Sequence, residues 1–121
     1  MEKRLLVIDD DEDIRDLVSG IFLEEGYVVL ALAEVDSIFD AINKFRPDVV
    51  LIDYQLRSIN GAVLSAELKN NAGTMNLPII LFSAHPRAVN AMGNWGWNYF
   101  IEKPFDIEHL KITIARFVNK P

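Results

Sequence analysis

Short apolar runs alternate along the chain with segments in which apolar residues recur every three or four positions. The runs are Leu5–Ile8, Tyr27–Leu32, Val49–Ile52, Ile79–Phe82 and Asn98–Ile101. Three of them are continuous aliphatic or aromatic stretches. Strands read this way when helices cover both faces of a parallel sheet. Between them, Ile14, Leu17, Val18, Ile21 and Phe22 follow the i, i+3, i+4, i+7, i+8 spacing of one helical face, and Gly26 stops that helix. Val35, Ile38, Ile42 and Phe45 make a second stripe, closed by Pro47. A weaker helix is predicted from Gly61 to about Asn70, another from Pro86 to about Asn94, and a fifth behind an N-cap at Asp106, with the stripe Ile107, Leu110, Ile114, Phe117 and Val118. The pattern is (βα)5, an α/β chain. Short loops and right-handed crossovers make it a doubly wound parallel sheet.

Composition narrows the reading. The 121 residues are expected to form one domain, 1–121, since no linker, repeat or low-complexity tract interrupts the pattern. With no Cys, disulfide scaffolds, thiol catalysis and Cys zinc sites are excluded. The net charge of −6 argues against direct nucleic-acid binding, which needs a basic face. No run approaches the ~20 apolar residues of a membrane helix, and the start of the chain lacks a signal-peptide apolar region, so no membrane partner and a cytoplasmic location are expected.

Ligands of open α/β sheets bind outside the carboxyl ends of the strands. The residues there are Asp9, Asp10, Asp11, Glu12 and Asp13 after the first strand, Asp53 after the third, Ser83 and Ala84 after the fourth, and Glu102, Lys103 and Pro104 after the fifth. One or two acids suit a helix N-terminus. Five in a row, with Asp53 at a neighbouring strand end, repel one another, and a hard cation relieves the repulsion. Mg2+ takes a few carboxylate oxygens, keeps several waters and often completes its shell with phosphate. The six acids account for the whole of the −6 charge, the rest being 12 acids against 12 bases. A calcium loop is excluded, because Ile14 and Gly20 stand where that loop needs Gly and Glu. Beside a metal, Asp53 could act as a nucleophile toward phosphorus, Lys103 could hold a phosphoryl oxygen as a point charge, and the Ser83 hydroxyl could donate to another. Taken singly, each is also an ordinary turn or surface residue.

With these residues in place, the chain resembles the response regulator receiver domain of two-component signalling. The resemblance runs from Lys3 to about Val118 and rests on five segments in order: LLVIDD, RPDVVLID, DYQLRSING with its Gly eight residues after the Asp, PIILFSA, and FIEKPF. It implies the flavodoxin-like five-stranded order 2-1-3-4-5. It implies that Asp53 is the phospho-acceptor and that Asp10 binds Mg2+ (or Mn2+) directly. Asp9 would act through water, and the Gln55 backbone carbonyl would be a further ligand. Ser83 and Lys103 would contact the phosphoryl group, with a cis Lys103–Pro104 bond aiming the lysine inward. Ser83 and Phe100 would be the switch pair, changing the face made by the fourth helix, fifth strand and fifth helix. The implied partners are a sensor histidine kinase or phosphotransfer protein, and an output partner or second copy on that face. The implied catalysis is limited to the domain's own phosphorylation and dephosphorylation.

Two positions depart from the family pattern: Arg57 replaces a frequent Pro, and Trp97 a usual small residue. Trp95, Trp97, Tyr99 and Phe100 crowd one stretch, either as core or as an exposed patch for a partner. A phosphorylation-independent interaction module is the alternative the departures leave open. The Asp9-x-Asp11 spacing also imitates a haloacid dehalogenase nucleophile, but Asp13 stands where that family has Thr or Val, and the chain is short for it.

Overall fold

A computed structural model describes residues 2–119. Its elements alternate strictly: β1 Lys3–Ile8, α1 Glu12–Glu24, β2 Tyr27–Leu32, α2 Ile38–Phe45, β3 Val49–Asp53, α3 Gly61–Lys69, β4 Ile79–Ser83, α4 Pro86–Met92, β5 Tyr99–Glu102 and α5 Ile107–Val118. All strand pairs are parallel, and the sheet order is β2-β1-β3-β4-β5, as expected.

Successive strand residues face opposite sides of a sheet, and the core divides accordingly. Leu6, Ile8, Val50, Ile52, Ile79 and Leu81 pack with Ile38 and Ile42 of α2, Leu64 and Leu68 of α3, and Val89 of α4. Leu5, Val7, Val49, Leu51, Ile80 and Phe82 pack with Val18 and Phe22 of α1 and Leu110 and Ile114 of α5. The unbroken apolar runs of the central strands follow from this, since β3 and β4 are buried along their whole length and β1 from Leu5 to Ile8.

The strands extend beyond the apolar runs at the edge that matters. β3, β4 and β5 each continue one residue past the predicted end, to Asp53, Ser83 and Glu102. Asp53 pairs with Phe82 and Ser83 with Glu102, so these polar side chains stand on ladder positions rather than loops. Ladder pairing limits the freedom of their backbone.

Three local differences have physical causes. Val35 lies outside α2, because Ser37 Oγ accepts from the Asp40 N–H and starts the helix at Ile38; Val35 still packs on the core from the preceding loop. α4 ends at Met92 rather than Asn94, since Gly93 takes a left-handed φ of 76°. β5 begins at Tyr99, and Asn98 bonds Ile79 with both its backbone N–H (2.7 Å) and its side-chain oxygen (2.9 Å).

The aromatic stretch resolves unevenly. Trp97 is buried in the core layer under α2, α3 and α4, and Tyr99 and Phe100 are half-buried. This corrects the idea of an exposed patch that includes Trp97: the larger side chain fills core space. Trp95 alone is exposed, at 44%, its indole N–H on the Met92 carbonyl. Acrylamide is therefore expected to quench Trp95 and spare Trp97. Trp95→Phe should leave a blue-shifted, poorly quenched emission, and equal quenching of the two single-Trp variants would contradict the packing.

Candidate functional site

The β1–α1 turn separates the acid run into two jobs. Asp11 is the N-cap of α1, its Oδ1 accepting from the N–H groups of Asp13 (2.9 Å) and Ile14 (3.4 Å). Glu12 and Asp13 fill the first helical turn, where acids are stabilised by the helix dipole. Capping thus accounts for these three. Asp9 and Asp10 are turned elsewhere.

Asp9 is fully buried, and its N–H donates to Leu32 of the next strand (3.0 Å). One carboxylate oxygen accepts from the Asp11 N–H (2.9 Å) and the other from Lys103 Nζ (2.9 Å). Asp53 is 6% exposed at the end of β3. Carboxylate oxygens of Asp9, Asp10 and Asp53 all lie within 4.8 Å of one another. That spacing fits one small cation. Lys103 Nζ sits 3.4 Å from Asp53 Oδ1, is 17% exposed, and lies 4.4 Å from the centre of the Phe82 ring. The Lys103–Pro104 bond is cis, as the resemblance implied.

Electrostatics follow from this burial. Loss of water and then the Asp9 carboxylate push the Asp53 carboxyl up to about 6, while Lys103 and the Gln55 backbone N–H pull it down. Asp53 is nevertheless mostly ionised at neutral pH. The donor set, three carboxylates gathered within reach of one ion, fits the oxygen ligands that Mg2+ takes.

Ser83 is 1% exposed, and its Oγ accepts from the His85 N–H (2.8 Å), which uses a lone pair and not the O–H. The strand pleat puts Ser83 on the same side as Ile79 and Leu81, the side on which Phe100 packs. Gln55 forms an isolated antiparallel bridge with Asn60, so the β3–α3 loop folds back beside the cluster without a Pro at position 57. Asn60 caps α3 through its side chain, and the Gly61 N–H donates to the Tyr54 carbonyl (2.8 Å). A Cβ on Gly61 would collide with the Asp53 carbonyl, which explains the Gly eight residues past that Asp.

Two neighbours escape sequence reasoning. Arg15, one turn into α1, donates to the Asp9 carbonyl (2.9 Å), and Arg57 lies 3.9 Å from Asp10 Oδ2. A basic residue four positions after the N-cap was the only available hint for Arg15. Arg57 stood out only as a missing Pro.

Comparison with known proteins agrees with this geometry. The family model of the response regulator receiver domain matches residues 5–115. The chain belongs to that family. It is 32% identical over 116 residues to the DNA-binding transcriptional regulator NtrC of Proteus hauseri, covering 93% of this chain and 24% of NtrC. The solved receiver domain of NtrX from Brucella abortus is 32% identical, with a TM-score of 0.84 over 97% of this chain and 99% of that one. The receiver domain of the sensor histidine kinase PA1611 from Pseudomonas aeruginosa PAO1, described with a magnesium ion coordinated in its active site cleft, shares the fold at 21% identity, with a TM-score of 0.82 over 99% of this chain and 100% of that one. This chain spans about half or less of the length of the first curated relatives it matches. Members of the family accept phosphate in a two-component system and bind Mg2+ in the acidic pocket, and Asp9, Asp10 and Asp53 form such a pocket here.

The raised carboxyl has a measurable consequence. Its folded-state value lies above the unfolded one, so ionised Asp53 costs stability above pH 6, and the cost fades as the pH falls from 6 toward 4. In chelator at pH 7.5, Asp53→Asn should stabilise the protein by about 1–3 kcal/mol, each pKa unit being worth about 1.4. The gain should shrink by more than half at pH 4.5. Urea denaturation at both values checks it, and a variant less stable than wild type at pH 7.5 would contradict it.

Proposed function

We propose that this chain takes a phosphoryl group from a phosphohistidine, carried by a sensor histidine kinase or a phosphotransfer protein, onto Asp53. The observation that carries the reading is the Asp9–Asp10–Asp53 cluster, with Asp9 and Asp53 buried and the Lys103 ammonium 3.4 Å from Asp53. Asp10, Asp9, Asp53 and the Gln55 carbonyl would hold Mg2+, or Mn2+ in its place. The bound ion supplies charge neutralisation and a template for the transferring oxygens.

The side chains divide the remaining work. Asp53, ionised above about pH 6, offers a carboxylate oxygen to phosphorus. The new P–O bond forms as the P–N bond to the donor imidazole breaks. Lys103, already between Asp9 and Asp53, neutralises charge on the incoming oxygens as a point charge. Ser83 has an O–H to donate to the product. The acyl phosphate adds about −1.5 to −2 charge where carboxylates already crowd. Ser83 then shifts toward the phosphoryl oxygens and Phe100 fills the space on the same side of the sheet, which alters the α4–β5–α5 face.

That face, with the exposed Trp95 at its edge, would meet an output partner, a joined output domain or a second copy. Residues 1–121 act as one receiver domain whose catalysis is confined to its own phosphorylation and dephosphorylation. No described helix is long and apolar enough to cross a membrane, in keeping with a cytoplasmic role. The charge of −6 weighs against direct nucleic-acid contact by this chain, whatever a longer regulator's other domains bind.

Incubation with phosphoramidate and MgCl2, followed by intact-mass spectrometry, should add one phosphate per chain. Chelator or Asp53→Asn should abolish it. Equal labelling of the variant would overturn the reading, and a wild type that never labels would favour a phosphorylation-independent interaction module.

A further inference from the structure

The two cations at the cleft divide the three carboxylates between them. Lys103 lies 2.9 Å from Asp9 and 3.4 Å from Asp53 and is largely enclosed. Asp10, the outermost acid, has Arg57 as its one ion-pair partner among the described residues, at 3.9 Å from Nε. The Arg57 side chain is 82% exposed, so it can leave without disturbing the core. Its backbone is less free. The Gln55–Asn60 bridge, the Asn60 cap and the Gly61–Tyr54 hydrogen bond anchor the loop on both sides of Arg57.

Building on the proposed function, we infer that Arg57 is a tethered counter-cation that competes with a divalent metal ion for Asp10. A guanidinium 3.9 Å from Asp10 Oδ2 and a dication on the same carboxylate repel each other, so each weakens the other's hold. An arginine stays charged at every working pH, so the competition is always present. Somewhere to go is also provided. Arg57 borders a polar hollow of about 300 Å³ lined by Asp10, Glu12, Arg15, Ala33, Glu34 and itself. Glu12 and Glu34 offer the displaced guanidinium other carboxylates across that hollow. The hollow holds three acids against two arginines, so a released Arg57 keeps its electrostatic environment. In the absence of metal Arg57 relieves the repulsion at Asp10, and it weakens metal binding in proportion. The family's frequent Pro at this position could not do so.

An exposed ion pair is weak and is screened by salt, so the effect is modest. Calorimetric titration of the intact chain with MgCl2 tests it. Arg57→Ala and Arg57→Gln should both tighten Mg2+ about two- to fivefold at low ionic strength, with a smaller gain at high ionic strength. Dissociation constants equal to or weaker than wild type in both variants would overturn the inference and leave the proposed function standing. So would tightening in Arg57→Ala but not in Arg57→Gln, which would assign the effect to bulk rather than charge. A wild type that binds no Mg2+ would overturn the inference and the proposed function together.

Discussion

Three carboxylates gathered at adjoining strand ends repel one another, and burial strengthens the repulsion because little water remains to screen it. The rest of the site is arranged around that constraint. Lys103 reaches across from β5 to Asp9 and Asp53, Arg57 leans on Asp10, and Arg15 holds the Asp9 carbonyl. Even so, the Asp53 carboxyl is pushed up to about 6. The sheet keeps the acids together at this electrostatic cost because a pocket poised this way has a use: a dication restores the balance. A buried cluster that weakens the resting fold while favouring binding is a common feature of functional sites.

Much of this was legible in the residues. Continuous apolar runs identified a sheet covered on both faces, and the stripes of α1 and α5 placed the helices around it. The carboxyl-end rule then brought Asp9, Asp10, Asp53, Ser83 and Lys103 to one edge, where the structure has them. What escaped was set by hydrogen bonding and distance. Hydropathy stops at Ile52, Phe82 and Ile101, but the ladder runs on through Asp53, Ser83 and Glu102. Val35 keeps helical spacing with Ile38, yet the Ser37 cap excludes it. The acid run divides: Asp11 caps α1, while Asp9 and Asp10 gather with Asp53 at a spacing that fits a cation. The Asp10–Arg57 pair has no local signature at all.

The fold alone would not decide the chemistry, since doubly wound sheets carry many functions. Here fold, site and family agree. The core supports the same conclusion: Trp97, at a position where the family resemblance implied a small residue, occupies interior space, so that departure changes packing and leaves the cleft intact. Arg57 is the departure that touches the chemistry, lying beside Asp10.

The central claim is that the cluster directs phosphate to Asp53 and to no other acid. Borohydride reduction of the phosphorylated chain converts an acyl-phosphorylated aspartate to homoserine, and peptide mass spectrometry then locates it. Homoserine at position 53 alone is the predicted result. Homoserine at position 9 or 10, or its absence from a chain that carries phosphate, would contradict the account.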